Sequence, residues 1–373
     1  MRRSNLPHSA TRRLLRCARN DQGVTMAQRI TIIGTGLIGG SLGLALKKAR
    51  LGFEIVGHDR RIEVANKAKQ RGAVDKAEWN LPAALDGASL VILALPVMAI
   101  KPTLDTIAQN AKYLQPDCIV TDTASTKVQV LAWAEAILPR GVNFIGGHPM
   151  AGKEAAGIEE AAAELFQGST YCLLPARSAA PQAVETMIGL ANAVGAKPYF
   201  LDPAEHDAFV AAVSHLPFIL SSALVSATTH DPAWRDMRRL ASGSFREASR
   251  LAAGDAEDYT ATCAANQESI LRWIDTYIAD LQEWRALVAA GGEPLKVAFD
   301  AAYTARERWL RGLDEEQAPG MPGSWRGRSD APDAPGQPGP DARAKEMIAD
   351  CWVASPSSPR RFSSPLCFPC SSG

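Results

Sequence analysis

The sequence has no excess charge of one sign and no regular framework of cysteines. Its 373 residues include 40 basic and 40 acidic side chains, so the formal net charge is zero. A neutral chain has no general attraction to nucleic acid or to an anionic membrane, and we expect neither as a partner. Seven irregularly spaced cysteines do not match the disulfide pattern of a small secreted domain. Free thiols suit a reducing compartment, so we expect a cytoplasmic protein.

The overall composition is that of a globular protein. Hydrophobic residues make up 46% of the chain and charged residues 21%, which is enough for a buried core. Because the sequence has no run of about eighteen apolar residues, it predicts no membrane-spanning helix.

The two ends of the chain differ from the rest. Residues 1–25 hold six arginines and no acid before Asp21. This basic leader is similar to a transit peptide, but Met26, directly before the first predicted strand, favours a translation start there. Residues 316–373 hold ten of the 24 prolines, a composition that cannot bury enough apolar surface to order itself. We predict that neither end belongs to the fold, and we expect no zinc at the CxxC pair in the tail.

Between these ends the pattern changes once. Short apolar or β-branched runs alternate with helix-like stretches as far as residue 202, which predicts βαβ units and a mainly parallel sheet. From residue 203 four helical stretches follow, at about 203–229, 232–252, 255–288 and 294–312. We therefore predict an α/β domain over residues 26–202 and an all-helical domain over residues 203–315, whose apolar helices could pack within one chain or between two.

A glycine-rich turn follows the first predicted strand. Gly34, Gly36 and Gly39 form a GxGxxG pattern just before and within the start of a helix. The first glycine permits a tight turn, the second lets the backbone approach a pyrophosphate, and the third lets the helix pack closely on the strand. The start of the helix, at Leu37 and Ile38, offers free N–H groups to the phosphates. The pattern predicts a dinucleotide-binding Rossmann domain.

The second strand ends at Asp59, 20 residues after the last glycine of the turn. A carboxylate there accepts hydrogen bonds from both ribose hydroxyls and repels a 2′-phosphate, which favours NAD over NADP. Arg60 and Arg61 weaken this preference, because arginine at this turn can pair with a 2′-phosphate. NADP therefore stays possible, and Asp59 could also do no more than cap the next helix.

Three further strand ends should border the same crevice, because ligands of open α/β sheets bind outside the carboxyl ends of the strands. Leu95 and Pro96 follow one strand and are expected to line the dinucleotide site. Polar segments at 121–127 and 146–154 follow two others. Within the second, His148 stands in a predicted turn between a glycine and a proline, not on an apolar face. We predict that His148 is functional.

Five segments form a specific combination: GTGLIGGSL (34–42), DTASTK (122–127), GGHPMAGKEAAG (146–157), SHLPF (214–218) and ASGSFREASRLA (241–252). In order and spacing they resemble the prephenate/arogenate (cyclohexadienyl) dehydrogenases of tyrosine biosynthesis, over about Arg29 to Leu313. The resemblance implies NAD(P)-dependent oxidative decarboxylation of a cyclohexadienol. A hydride leaves the carbon that bears the hydroxyl, the hydroxyl becomes a carbonyl, and the ring carboxylate departs as CO₂ while the ring aromatises. A homodimer formed through the helical domain is also implied.

The same resemblance implies roles for individual side chains. His148 matches the family's catalytic histidine, and a neutral imidazole is the natural acceptor for the hydroxyl proton. Ser125 matches a serine that hydrogen-bonds the same region and borders the cofactor. Arg250 matches an arginine that binds a substrate carboxylate through its planar fork. His215 matches a substrate-side histidine, although a core histidine at a helix end fits the sequence too.

Three positions near the implied substrate side chain leave the substrate undecided. They are Lys153, where the relatives vary between threonine, serine and lysine, Glu154 beside it, and Glu247, where some relatives carry aspartate. Lys153 favours the keto acid prephenate, whereas Glu154 could pair with the ammonium group of arogenate. We expect no metal.

Two other functions stay open. A dehydrogenase of the β-hydroxyacid type also joins a Rossmann domain to helices, but it usually carries a catalytic lysine on the helical domain. Residues 203–260 contain no lysine. A non-catalytic NAD(P)H-sensing protein would need the cofactor site without the polar pocket, whereas Ser125, His148, His215 and Arg250 occur together.

Overall fold

The computed structural model describes residues 29–153 and 156–312, which belong to one compact unit. The expectations for residues 1–25, for Glu154 and for residues 316–373 lie outside the described residues.

An eight-stranded sheet organises the first part of the described chain. Its strands are β1 (Arg29–Ile33), β2 (Glu54–His58), β3 (Lys76–Ala77), β4 (Ala88–Leu93), β5 (Ile119–Asp122), β6 (Asn143–Pro149), β7 (Thr170–Pro175) and β8 (Lys197–Phe200). They lie in the order β3-β2-β1-β4-β5-β6-β7-β8. Every neighbouring pair is parallel except β6 and β7. The mainly parallel sheet predicted from the sequence is confirmed, and its order reverses between β1 and β4.

Helices cover both faces of this sheet. They are α1 (Leu37–Ala49), α2 (Ile62–Gln70), α3 (Leu81–Leu85), α4 (Val97–Gln109), α5 (Val128–Ile137) and α6 (Pro181–Ala193). One buried cluster joins one face of the sheet to α1 and α6 through Leu46 and Met187. The other joins the opposite face to α4 and α5 through Leu104 and Leu131. Burial on both faces explains why the strands are continuous apolar runs in the sequence.

The chain from residue 203 to 312 contains no strand. Its helices are α7 (Pro203–Val210), α8 (Leu216–Thr229), α9 (Trp234–Met237), α10 (Gly243–Ala248), α11 (Ala256–Ala265), α12 (Gln267–Ala290) and α13 (Gly292–Leu310), and a π-helical turn, Ala211–His215, joins α7 to α8. An α/β domain followed by an all-helical part is therefore confirmed.

Two of the four predicted helical stretches were too long. The stretch expected at 232–252 consists of short pieces, with Ser242 extended before Gly243. None of the side chains in these pieces is fully buried, and most helical stability in proteins comes from burial of an apolar face. The stretch expected at 255–288 breaks at Asn266, whose backbone is not helical (φ −133°, ψ 36°).

The run from Pro203 to Thr229 is continuous but irregular. Pro217 has no amide hydrogen and cannot complete a regular helix through this point. The wider π-helical turn directly precedes it, and such turns occur frequently at functional sites. His215 ends that turn.

This same run is long and apolar enough, by length and composition alone, to cross a membrane, with a mean hydropathy of 1.9. This feature was not predicted from the sequence. His206, Asp207 and His215 lie within the run with buried side chains, and the first two make polar contacts with the sheet domain. These buried polar contacts join the first part of the run to the sheet domain, and 33% of its apolar window is buried.

Candidate active site

The glycine-rich turn lies where the strand order reverses between β1 and β4. Gly34 has a left-handed backbone (φ +88°), and an added Cβ would lie 2.1 Å from the carbonyl oxygen of Ala94. A Cβ on Gly39 would lie 1.9 Å from the carbonyl oxygen of Gly34. Neither position can hold a side chain, so the turn and α1 pack as the sequence pattern requires. At Gly36 an added Cβ would meet nothing within 4 Å, which leaves open space beside the backbone.

The start of α1 has free hydrogen-bond donors. The backbone N–H of Gly40 donates to the carbonyl oxygen of Gly36 (2.9 Å), and the N–H groups of Leu37, Ile38 and Gly39 come before any intrahelical acceptor within reach. They are therefore available to an anion, and the helix dipole favours negative charge there. This backbone fits the pyrophosphate of a dinucleotide.

Asp59 is tied to the glycine-rich turn. Its Oδ2 accepts a hydrogen bond from the backbone N–H of Thr35 (3.0 Å), and its Oδ1 accepts one from the N–H of Arg61 (3.1 Å). The second contact lies before α2, whose first residue is Ile62 and whose N-cap, Arg61, makes no side-chain capping hydrogen bond, so the capping role that the sequence left open is not found. Asp59 is half-buried and Arg60 is exposed beside it.

Leu95 and Pro96 lie between the end of β4 and the start of α4. Cδ2 of Leu95 would lie 3.0 Å from a Cβ added to Gly34, so this side chain lies against the turn. Pro96 is exposed and directly precedes α4. Both residues border the space above β1 and β4.

His148 lies near the carboxyl end of β6, beyond the last residue that pairs with β5, and it is 8% exposed. Its Nδ1 is 2.9 Å from Nε2 of His206, and Nδ1 of His206 is 2.8 Å from Oδ1 of Asp207. The Asp207 carboxylate also accepts the backbone N–H groups of Lys127 (2.7 Å) and Val128 (2.9 Å). A continuous chain of polar contacts therefore runs from His148 to the start of α5.

A buried ion pair lies behind this chain. The ammonium group of Lys127 pairs with the carboxylate of Asp122, and both side chains are fully buried. Lys127 also donates to the carbonyl oxygen of Gly147 (2.8 Å), while Asp122 accepts the N–H of the same residue (3.1 Å). The pair holds both backbone groups of the residue before His148.

Burial determines the protonation states of His148 and His215. It lowers the pKa of His148 well below the ordinary value, and positive charge on His206, Lys127 or His215 acts in the same direction. Burial also lowers the pKa of His215 to about 4, although the carboxylate of Asp207 opposes this shift. At neutral pH both imidazoles are therefore neutral, and His148 is able to accept a proton.

His215 contributes a hydrogen-bond donor rather than an acceptor. Nδ2 of Asn266 lies 2.7 Å from the carbonyl oxygen of Asp207, which requires a donor, and 3.3 Å from Nδ1 of His215. Asn266 therefore donates to Nδ1, so the neutral ring carries its proton on Nε2. That Nε2 is buried and has no hydrogen-bond partner, a costly arrangement unless a ligand accepts from it.

Ser125 lies on the loop between β5 and α5 and connects the two parts of the chain. Its Oγ is 3.3 Å from Oγ1 of Thr262 on α11. No hydrogen bond from Ser125 to His148 is found among the described residues, so the serine is not joined to the histidine chain.

Arg250 lies at the start of a short 3₁₀ turn, Arg250–Ala253, and its residue is exposed. It is near enough to Tyr259 to oppose the rise that burial causes in the pKa of that phenol. The Tyr259 ring stacks on Phe218 (centroids 3.9 Å apart), which lies 6.0 Å from the His215 ring. Arg250 is therefore connected to His215 only indirectly, through Tyr259 and Phe218.

Lys153 and Glu247, which were expected near the substrate side chain, are both exposed. Lys153 is exposed on the loop after β6 and donates to the carbonyl oxygen of Glu160 (3.1 Å). Glu247 is exposed on α10. None of the contacts described for either residue joins it to His148 or His215, and Glu154 is outside the described residues.

Three residues of this site were missed by the sequence analysis: His206, Asp207 and Asn266. The chain has only six histidines, and two of them, His206 and His215, lie within ten residues at the start of the helical part. That concentration was the available signal for His206. For Asn266 the sequence offered none, because its importance comes from contacts with distant residues.

Comparison with known proteins gives a consistent result. The family model described as "Prephenate dehydrogenase, nucleotide-binding domain" matches residues 42–200, and that described as "Prephenate dehydrogenase, dimerization domain" matches residues 202–298. The chain is 32% identical over 312 residues to the prephenate dehydrogenase of Bacillus subtilis, which covers 83% of each sequence.

Solved structures show the same likeness. A Synechocystis arogenate dehydrogenase is 32% identical, with a TM-score of 0.64, and the match covers 76% of this chain and 100% of that one. An A. aeolicus prephenate dehydrogenase, in complex with hydroxyphenyl propionate and NAD⁺, is 26% identical, with a TM-score of 0.70, over 76% of this chain and 98% of that one.

Proposed function

The chain belongs to the prephenate dehydrogenase family, and we propose that it oxidatively decarboxylates prephenate, arogenate or both, with NAD as the oxidant. One observation carries the proposal: His148 is buried near the carboxyl end of β6, neutral, and on the side of the sheet where the glycine-rich turn ends β1. We place the reaction in the cytoplasm and in tyrosine biosynthesis, as for the family.

The residues present fit a dinucleotide. The pyrophosphate would lie at Gly34, Gly36 and the first N–H groups of α1, with the ribose hydroxyls at Asp59. Leu95 and Pro96 would line the wall beside it. When bound, NAD supplies the acceptor for the hydride that leaves the substrate.

His148 takes the hydroxyl proton. As the hydride departs, the hydroxyl oxygen must become a carbonyl oxygen, and the neutral imidazole is the group able to accept its proton. His215 donates from Nε2, which can hold a substrate oxygen in place while the charge on it changes. Ser125 borders the same space.

The ring carboxylate then departs as CO₂, and its electron pair completes the aromatic ring. The carbonyl oxygen recovers a proton as the ring aromatises, so substrate and NAD together give the phenol, CO₂ and the reduced cofactor. Arg250 would bind a substrate carboxylate through its guanidinium group. Lys153, Glu154 and Glu247 remain candidates for contacts that distinguish a keto acid from an amino acid.

We also propose a homodimer formed through residues 203–315, with the Rossmann domain spanning residues 26–202. Large apolar side chains are exposed on α12 and α13, among them Leu281, Val288, Tyr303 and Trp309. Together they form an apolar surface of the kind that marks a protein–protein interface. The match of this region to a model described as a dimerization domain supports the same assembly.

The test of the proposed function is the turnover of both substrates by the purified chain. Prephenate and arogenate are each supplied with NAD and then with NADP, and the reduced nicotinamide is followed by absorbance. We expect reduction with at least one substrate and faster reduction with NAD than with NADP. No reduction with either substrate would reject the proposal and favour a cofactor-sensing protein.

A further inference from the structure

We propose that His206 is a positioning residue: together with Asp207 it fixes the tautomer of His148, so that Nδ1 of His148 carries the proton and Nε2 is the bare acceptor in the pocket. The inference rests on the proposed function for its kinetic consequence, but the tautomer can be measured without turnover.

Asp207 fixes the first proton of the chain, because its ionised carboxylate can only accept hydrogen bonds. Its oxygens accept the N–H groups of Lys127 and Val128, and Oδ1 also lies 2.8 Å from Nδ1 of His206. The shared proton must therefore belong to Nδ1 of His206. In the neutral imidazole the other nitrogen, Nε2, is then an acceptor.

The next contact determines the state of His148. Nε2 of His206 lies 2.9 Å from Nδ1 of His148. Two bare nitrogens cannot share a hydrogen bond, so Nδ1 of His148 carries the proton and donates. A neutral His148 then has its lone pair on Nε2.

The remaining nitrogen faces the pocket. Among the described residues no hydrogen bond reaches Nε2 of His148. This atom is also not one of the fully buried polar atoms that lack a hydrogen-bond partner. Nε2 is therefore unpaired and accessible, as a base that meets a substrate hydroxyl must be. His215 carries its proton on Nε2, which is buried and has no hydrogen-bond partner among the described residues.

The alternative arrangement has a different chemical outcome. If His206 carried protons on both nitrogens, its Nε2 would donate to His148, whose own proton would lie on Nε2. That atom could then no longer accept the hydroxyl proton. The direction of the hydrogen bond between the two rings thus decides whether His148 is a base.

Nitrogen-15 NMR of the full chain, labelled in histidine and kept at neutral pH, measures the tautomer directly. His148→Asn identifies the resonances of His148 by their loss. We expect the protonated, pyrrole-type signal at Nδ1 and the bare, pyridine-type signal at Nε2. A proton on Nε2 would overturn the proposal whether or not the enzyme turns over prephenate or arogenate.

Two substitutions separate positioning from packing. His206→Gln can still present an oxygen to His148 and an amide N–H to Asp207, whereas His206→Phe can present neither. We expect His206→Phe to lower kcat about 10- to 100-fold with KM within about threefold, as for loss of one oriented hydrogen bond, and His206→Gln to restore most of the loss.

The matched control is His230→Gln. His230 is an exposed histidine at the end of α8, and we expect kcat to stay within about twofold of the wild type. Equal kcat for wild type and His206→Phe would contradict a positioning role. If His206→Phe does not fold, the tautomer of the wild-type His148 still decides the question. If the wild type itself shows no turnover, the proposed function fails, but the tautomer of His148 can still be measured and still tests the role of His206.

Discussion

The buried ammonium group of Lys127 donates a hydrogen bond to the carbonyl oxygen of Gly147, 2.8 Å away. That carbonyl belongs to the peptide that joins Gly147 to His148, so Lys127 positions the backbone of the proposed base. Its charge is balanced by Asp122, and both side chains are fully buried. Burial lowers the pKa of Lys127, and the Asp122 carboxylate opposes this effect.

Lys127→Met should destabilise the protein by about 3–5 kcal/mol, because it leaves the charge of Asp122 buried without its partner. The free energy of unfolding in urea measures this loss. Lys101→Met is the matched control, since Lys101 forms an exposed ion pair with Asp105 and such pairs contribute about 0–1 kcal/mol. Similar losses in the two variants would show that the buried pair does not support the fold.

Asp59→Asn tests the cofactor preference with little change in shape. The amide oxygen can still accept the N–H of Thr35, which Asp59 holds at 3.0 Å, but the charge that repels a 2′-phosphate is lost. We expect kcat/KM for NADP to rise relative to that for NAD, about tenfold or more. Steady-state kinetics with both cofactors measures the ratio, and an unchanged ratio would show that Asp59 does not set the preference.

Stability should fall as the pH drops below about 6.5. In the unfolded chain His148 and His215 titrate near that value, whereas in the folded protein burial lowers the pKa of His215 to about 4 and that of His148 well below its ordinary value. The unfolded chain then binds more protons, so each histidine costs about 1.4 kcal/mol per pH unit from about 6.5 downwards. Above about pH 6.5 both histidines are neutral in the folded and in the unfolded chain, so they no longer lower the free energy of unfolding.

Urea unfolding between pH 7.5 and 5 measures this dependence, above the range in which most carboxylates protonate. His215→Asn should reduce the slope of the unfolding free energy against pH by about half, whereas His230→Gln should leave it unchanged. A flat profile over this interval in the wild type would contradict the buried, neutral state of both rings.

Arg250→Ala should chiefly weaken substrate binding. Removing a charge-assisted contact to a carboxylate costs about 1.5–3 kcal/mol, which corresponds to a rise in KM of about 10- to 100-fold with a smaller change in kcat. Arg239→Ala, at an exposed position of the same region, is the control and should leave KM within about twofold. Unchanged KM in Arg250→Ala would show that the substrate carboxylates are bound elsewhere.

The sequence predicts best what depends on neighbours in the chain. Gly34 and Gly39 could be assigned because their turn, strand and helix are contiguous, and the parallel sheet followed from alternating apolar runs. His148 was identified from its place between a glycine and a proline, but the turn predicted there is wrong: the residue lies within β6 and pairs with Cys172 of β7. The same local reasoning gave a helix at 232–252, where the chain has helix-forming residues but fully buries none of their side chains in its short helical pieces.

The rest depends on contacts between distant residues. His206 and Asp207 acquire their roles because α7 packs against the start of α5 and against β6. Asn266 interrupts a helix that periodicity would continue, and its amide reaches Asp207 and His215 instead. Apart from the closeness of His206 and His215 along the chain, no sequence pattern indicates these contacts, so they could be identified only from the structure.

The most direct test of the account is the rate of His148→Asn with the substrate that the wild type turns over. This variant keeps a polar side chain of similar size but removes the base. We expect kcat to fall about 10²- to 10⁴-fold, the usual contribution of a positioned acid–base group, with KM changed by less than about threefold. Reduced nicotinamide formed at the wild-type rate by His148→Asn would contradict the proposed mechanism, even in a chain that oxidises prephenate or arogenate.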